Sequence, residues 1–219
     1  EEKNGSLNVL LKSSPARARL NFSIKSEALF VRMALHTSDR VQRIFPLYCR
    51  RIEGLSNDIR IWRLGYQTWS PSGSFPLRGR ERVPWFGFMV RNVLNPRIGF
   101  RPGRGFHHID GAGIILDPKT KKSLLTGFIS ARRFLSSISL RMNFREGGAG
   151  EIRAFSDAEG IHDGELSAET LMVAIGDDPH SLLESYLDLL GSEMGARRTS
   201  HIPTGWCSWY RYFRGVSED

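Results

Sequence analysis

From Leu7 to Ile175 the chain consists of short runs in which apolar residues alternate with polar ones or stand together for a few positions. Turn residues close each run, and none keeps a convincing helical period. A core-facing residue recurs at every second position on a strand but at every third or fourth on a helix, so the pattern selects strands. The candidates are residues 7–11, 19–24, 28–35, 47–52, 59–64, 85–89, 113–116, 124–130, 138–144, 151–155 and 166–175. So many strands at such spacing predict a mainly β protein, an antiparallel sandwich of two large sheets. The clearest hairpin sets Ile114-Ile115-Leu116 against Leu124-Leu125-Thr126-Gly127-Phe128 across a polar turn from Asp117 to Lys122. With 219 residues, 40% of them hydrophobic, there is enough chain to bury a real core.

One helix is expected after the strands. Asp177-Asp178-Pro179 supplies a cap and a proline suited to the first helical position, and Gly195 supplies the stop. Leu182, Leu183, Tyr186, Leu187, Leu190 and Met194 make one apolar stripe between them, which predicts that the helix docks on a neighbour. Two stretches, 67–84 and 95–111, lose periodicity and are rich in Gly, Pro, Ser and Arg. They read as long loops, and the tryptophan in the first favours a functional one.

The net charge of +8 rests on arginine, which makes up 25 of the 31 basic residues. Clustered on one surface, such charge would suit phosphates. Here Arg19, Asn21 and Ser23, and again Arg141 and Asn143, alternate with apolar residues and read as the solvated side of half-buried strands, which argues against nucleic acid as a partner. No apolar run approaches the roughly 18 residues of a membrane span, and Glu-Glu-Lys-Asn-Gly-Ser at the start is not a signal peptide, so no membrane partner is expected. Cys49 and Cys207 show no Cys-x-x-Cys spacing and read as reduced thiols in a cytoplasmic setting, with a single long-range disulfide as the alternative. His107-His108 has no acid or Cys at a ligand spacing, so surface or loop histidines are expected and no metal or other cofactor. Arg78-Gly79-Arg80-Glu81-Arg82 and Arg101-Pro102-Gly103-Arg104 are open to two readings, an acidic partner or solvated loop charge.

The terminal segment carries five aromatics, Trp206, Trp209, Tyr210, Tyr212 and Phe213, followed by Ser217 as a helix cap with Glu218 and Asp219 behind it. This is how a strand feeds the helix of a β/α unit. One such unit cannot close a barrel, so the expectation is the front part of a larger protein. The later tryptophan, Trp209, would lie nearer a ligand at the C-terminal end of such a strand.

Gly205-Trp206-Cys207-Ser208-Trp209-Tyr210-x-Tyr212-Phe213 resembles the opening strand of the catalytic barrel in the α-galactosidases of glycoside hydrolase family 36, the melibiases. Gly65-Tyr66-Gln67-Thr68-Trp69-Ser70-Pro71 resembles a Gly-Tyr-Gln-Ser-Trp-Ser segment of that family's N-terminal β-supersandwich. The resemblance implies a supersandwich over residues 1–176, a connecting helix over 177–199, and over 200–219 the start of an incomplete (β/α)8 barrel. It implies retaining hydrolysis of terminal α-galactosides such as melibiose and raffinose, with Trp69 and Trp209 as substrate-binding residues and homo-oligomer contacts as a third reading of the arginine-rich segments. Indole over the C–H-rich face of galactose would contribute ~2 kcal/mol and orient the ring. For Trp69 the other reading is a packing residue at the sandwich edge.

Retaining glycosidases need two carboxyl groups roughly 5–5.5 Å apart. In the family both come from later barrel strands, while Asp110, Asp117, Asp157, Asp163, Asp177 and Asp178 read here as turn or cap residues, none of them catalytic. The rival reading is a free-standing carbohydrate-binding module in which Trp69 and Trp85 stack on sugar.

Overall fold

The computed structural model describes residues 5–50, 52, 56, 58–65, 72–79, 103–144, 149–161, 164–197 and 215. In chain order the strands are β1 (Gly5–Ser13), β2 (Ala16–Lys25), β3 (Ala28–His36), β4 (Val41–Cys49), β5 (Arg60–Arg63), β6 (Gly73–Pro76) and β7 (Phe106–Asp110). They continue as β8 (Ala112–Asp117), β9 (Lys122–Phe128), β10 (Ser136–Met142), β11 (Ala149–Ile161), β12 (Glu165–Ser167) and β13 (Leu171–Gly176), followed by helix α1 (Pro179–Met194).

The protein is mainly β, and its strand pairs are antiparallel. Among the described residues the two sheets differ in size, where the pattern predicted two large ones. Of the described strands, nine form one sheet in the order β1-β2-β3-β13-β9-β8-β5-β6, with β12 paired to β3 off that path; four form the other, β4-β11-β10-β7. The sheets meet through Val31, Ile61, Ile115, Phe128 and Leu171 on the large one and Ile109, Ile138, Leu140, Ile152 and Ala154 on the small one.

Helix α1 covers the opposite face of the large sheet, where Ala112, Ile114, Leu125, Met172 and Ala174 surround Tyr186. The middle strands are thus buried on both sides, which is why Ile114-Ile115-Leu116 and Leu171-Met172-Val173-Ala174 read as continuous apolar runs. Gly127 makes the seating possible, since a Cβ there would lie 2.6 Å from Tyr186 Cε2 and 2.8 Å from Ala112 Cβ. The Tyr186 hydroxyl donates to the Phe128 carbonyl at 2.7 Å. Asp178 caps the helix by accepting from the His180 and Ser181 amides, and Gly195 ends it in the left-handed region. Of the predicted stripe, Tyr186, Leu182, Leu183 and Leu190 pack on the sheet, whereas Leu187 and Met194 stay exposed. A single flat sheet face accepts a narrower arc of a helix than the stripe spans.

Other boundaries move for identifiable reasons. The strand expected at 47–52 runs from Val41 to Cys49, because its register follows β11 across two bulges. The run expected at 166–175 splits into β12 and β13, with Glu169 buried in the break. Within the stretch expected to be a loop from 95 to 111, residues 106–110 are a strand bonded to β10. His107 and His108 therefore lie buried in β7, not at the surface. Asp110 and Asp157 also sit in strands rather than in turns or caps.

The β8–β9 hairpin follows the expected register, pairing Asp117 with Lys122. Asp117 is fully buried, accepting from the Ser56 amide at 2.8 Å, the Ser56 hydroxyl at 2.6 Å and the Lys119 amide at 3.0 Å. Burial pushes this carboxyl up, but the bonds from Ser56, Lys119 and Thr120 outweigh it and hold the pKa at about 2, below the ordinary 3.8. A depressed pKa means that the group's stabilisation is fully present above the unfolded value and is lost as pH falls through the folded one. Asp117→Asn should accordingly be less stable than the parent near neutrality, with the gap between the two urea midpoints closing as pH falls from about 4 to about 2. A gap that stays constant over that window would show that the Asp117 charge contributes nothing.

Candidate functional site

Trp69 and Trp209, the two residues that the sequence nominates for substrate, lie outside the described residues, as do Trp85, Cys207 and the Gly205–Phe213 aromatic segment. The support on which the Trp69 segment stands is described. The β5–β6 hairpin pairs Arg63 with Gly73, and the Gly65 amide donates to Ser72 Oγ at 2.9 Å, so the two ends of the segment from 66 to 71 are held side by side. The same end of the hairpin is fastened to β7. The Asp110 amide donates to the Leu64 carbonyl at 3.2 Å, and buried Arg63 reaches the His108 carbonyl with Nη1 at 2.8 Å. Leu64, which leads into the segment, is therefore held against the strand that carries His108 and Asp110.

Those two residues belong to the face of the small sheet turned away from the core. Register places His108, Ser139, Arg153 and Tyr48 in one row across β7, β10, β11 and β4, all on the side opposite Ile109, Ile138, Ala154 and Leu47. At one end of this face His108 Nε2 lies 3.5 Å from Asp110 Oδ1, which also accepts from Ser137 Oγ at 3.0 Å. The Phe155 ring stands 6.3 Å from that of His108 and 5.6 Å from that of Phe45. Arg43 crosses over the Phe155 ring at 4.8 Å while its Nε holds Asp157 at 2.7 Å.

At the other end Arg153 Nε meets Glu151 Oε1 at 2.8 Å, and the Tyr48 hydroxyl donates to Glu151 Oε2 at 3.2 Å. Arg50 and Arg153 both lie against the Tyr48 ring, at 5.5 and 4.8 Å. Burial pushes the Glu151 carboxyl up, but Arg153 and Tyr48 more than compensate and leave it below its ordinary range; Glu151 in turn raises Arg153. A glycosidase proton donor needs the reverse, a carboxyl held protonated near neutral pH. Glu151 is unsuited to that role, and Asp157 is committed to Arg43.

What this face can do is bind. Tyr48 and Phe45 are 46% and 40% exposed and stand among guanidinium groups, offering aromatic surface for C–H faces and donors for hydroxyl or carboxylate oxygens. Phosphate-sized anions would have to compete with the carboxylates already in place. Sequence reasoning missed the face because its residues come from four separate strands. The one local signal was Glu151-x-Arg153-x-Phe155-x-Asp157, polar and aromatic residues repeating at the strand period.

Among the described residues no group of three or more His, Cys, Asp or Glu could hold a metal ion, and no helix is long and apolar enough to cross a membrane.

No family model matches the chain. Among solved structures it is similar to a protein from Escherichia coli K12 provisionally assigned as an aldose 1-epimerase, at 12% identity and a TM-score of 0.41 over 80% of this chain and 68% of that one. It is also similar to a protein from Synechocystis sp. PCC 6803, at 9% identity and a TM-score of 0.39 over 80% of this chain and 63% of that one. A galactose mutarotase-like protein from Clostridium acetobutylicum matches at 9% identity and a TM-score of 0.40 over 81% of this chain and 65% of that one. The chain thus spans less than two thirds of the length of the last two.

Proposed function

We propose that this chain is the N-terminal portion of a retaining α-galactosidase acting on terminal α-galactosides of the melibiose and raffinose type. The observation that carries the reading is the order of the two tryptophan segments in the sequence: Gly65–Pro71, then a capped helix, then Gly205-Trp206-Cys207-Ser208-Trp209. It is supported by the two-sheet architecture and by the fastening of Arg63 and Leu64, just ahead of the first segment, to β7. Trp69 and Trp209 would line the galactose pocket, and the two catalytic carboxylates would come from barrel strands following Asp219.

The test is a chain extended through those strands and assayed on a chromogenic α-galactoside, with hydrolysis expected and absent from the 219-residue chain. Trp69→Ala and Trp209→Ala in the extended protein should each lower kcat/KM by about 30-fold, the equivalent of ~2 kcal/mol of lost stacking. A folded, extended protein without hydrolysis would overturn the reading.

A second reading, a carbohydrate-binding module, is favoured by exposed Tyr48 and Phe45 beside Arg43, Arg50 and Arg153. It predicts that the 219-residue chain alone binds galactosides, followed by tyrosine and tryptophan fluorescence, and that Tyr48→Ala abolishes the binding. The enzyme reading predicts little binding by this chain alone.

A further inference from the structure

Among the described residues, the ends of the two sheets are unequally protected. Unpaired strand edges invite pairing with another chain, and proteins blunt them with short strands, prolines, bulges or charges. At one end of the large sheet β6 has four residues and ends in Pro76. In the small sheet β4 carries Pro46 and faces two bulges, while β7 has five residues. At the other end of the large sheet, β1 has none of these features. It runs for nine residues in unbroken register with β2, contains no proline, and bears one charge, Lys12.

This edge is also apolar on one side. Leu7, Val9 and Leu11 pair with Phe22, Leu20 and Ala18 of β2, continuing the core-facing side of the large sheet beyond the four strands that cover it. Leu7 and Leu11 are 61% and 55% exposed, and Ile24 beside them is 47% exposed. Apolar side chains of this size gain by leaving water, which favours a partner that covers them.

We propose that β1 is a self-association edge, pairing antiparallel with β1 of a second copy about a two-fold axis at Val9. The sequence of the strand is self-complementary in that register. Val9 meets Val9, Leu7 meets the partner's Leu11, and Asn8 meets the partner's Leu10, so each apolar residue of the core-facing side gains an apolar cross-strand neighbour. The single charge causes no repulsion, because Lys12 falls opposite Ser6. Main-chain hydrogen bonds along the edge supply the affinity, and the leucine and valine pairs fix the register. The interface is isologous and stops at two copies. It depends on no assumption about the sugar chemistry.

The test is sedimentation equilibrium of the 219-residue chain at ~10–100 µM, where a mass twice 24.8 kDa is expected. Leu7→Lys combined with Leu11→Lys places like charges opposite each other at both ends of the pair and should give the monomer mass. Leu7→Lys combined with Leu11→Glu places opposite charges there and should restore the dimer. All these substitutions are on exposed positions, and far-UV circular dichroism confirms that each variant is folded. A monomeric parent overturns the proposal, as does a dimer that survives the double-lysine variant. Failure of the lysine–glutamate variant to re-associate overturns the antiparallel register about Val9.

Discussion

Leu140→Ala should lower the free energy of unfolding by roughly 3–4 kcal/mol, measured as a fall in the urea midpoint at unchanged slope. Leu140 is fully buried on the core side of β10, between His107 of β7 and Ile152 of β11, in the cluster shared with Ile61, Ile115 and Phe128 of the large sheet. Truncation there removes the transfer energy of the side chain and leaves a cavity between two sheets whose backbones are fixed by their own hydrogen bonds. Neither sheet can collapse into the space without breaking register. The comparison is Leu187→Ala on α1, where the side chain is already exposed and the change should stay within about 0.5 kcal/mol. Equal effects at the two sites would mean that the sheets do not share a core.

Glu169→Ala should cost roughly 3–5 kcal/mol, for a different reason. The Glu169 carboxylate is buried in the break between β12 and β13, where it accepts from Ser130 Oγ at 2.5 Å, from the Arg133 amide at 2.7 Å and from the Phe134 amide at 3.0 Å. Its own amide donates to Ser156 Oγ at 3.2 Å, and the Thr170 amide donates to Ser130 Oγ at 2.9 Å. Removing the carboxylate leaves several donors inside the protein without an acceptor, each costing on the order of 1–3 kcal/mol.

Burial pushes the Glu169 carboxyl up, but bonds from Ser130, Phe134, Arg133 and Arg132 outweigh it and hold it below the ordinary range. The stabilisation is therefore present above the unfolded pKa and is lost as pH falls through the folded one. Glu169→Gln keeps the shape but places an amide NH2 among donors, so it should recover little at neutral pH. Its deficit relative to the parent should shrink in acid. A glutamine variant as stable as the parent at pH 7 would show that the negative charge is not what orders this loop.

The sequence announced the elements whose signals are local. Asp178, Pro179 and Gly195 bound α1 in the folded chain as they do on paper, because capping is decided within one turn of the helix end. The β8–β9 hairpin was equally legible, since turn residues and flanking apolar runs suffice to define it. Strand β7 was hidden by its own histidines, which read as polar until the β10 register and the Leu77 carbonyl, 3.0 Å from His107 Nε2, give them a place inside. The short edge strand Gly73–Pro76 has no pattern of its own and exists because β5 pairs with it. The unequal size of the sheets was illegible for the same reason: strand order depends on contacts between residues far apart in the chain. For the site, the tryptophan segments stood out as motifs, whereas the row of His108, Ser139, Arg153 and Tyr48 is created only by pairing.

The notch at Gly127 fixes how α1 lies on the large sheet. The Tyr186 ring occupies the space a side chain would need there, and its hydroxyl is tied to the adjacent Phe128 carbonyl. Rolling the helix about its axis or sliding it by one residue would break both at once. The 16-residue rod, about 24 Å long, is thereby keyed to the sheet like a shaft in a slot. Its far end, where Gly195 turns the backbone and the Ala196 amide returns to the Gly191 carbonyl at 2.7 Å, is thereby fixed in place on the large sheet.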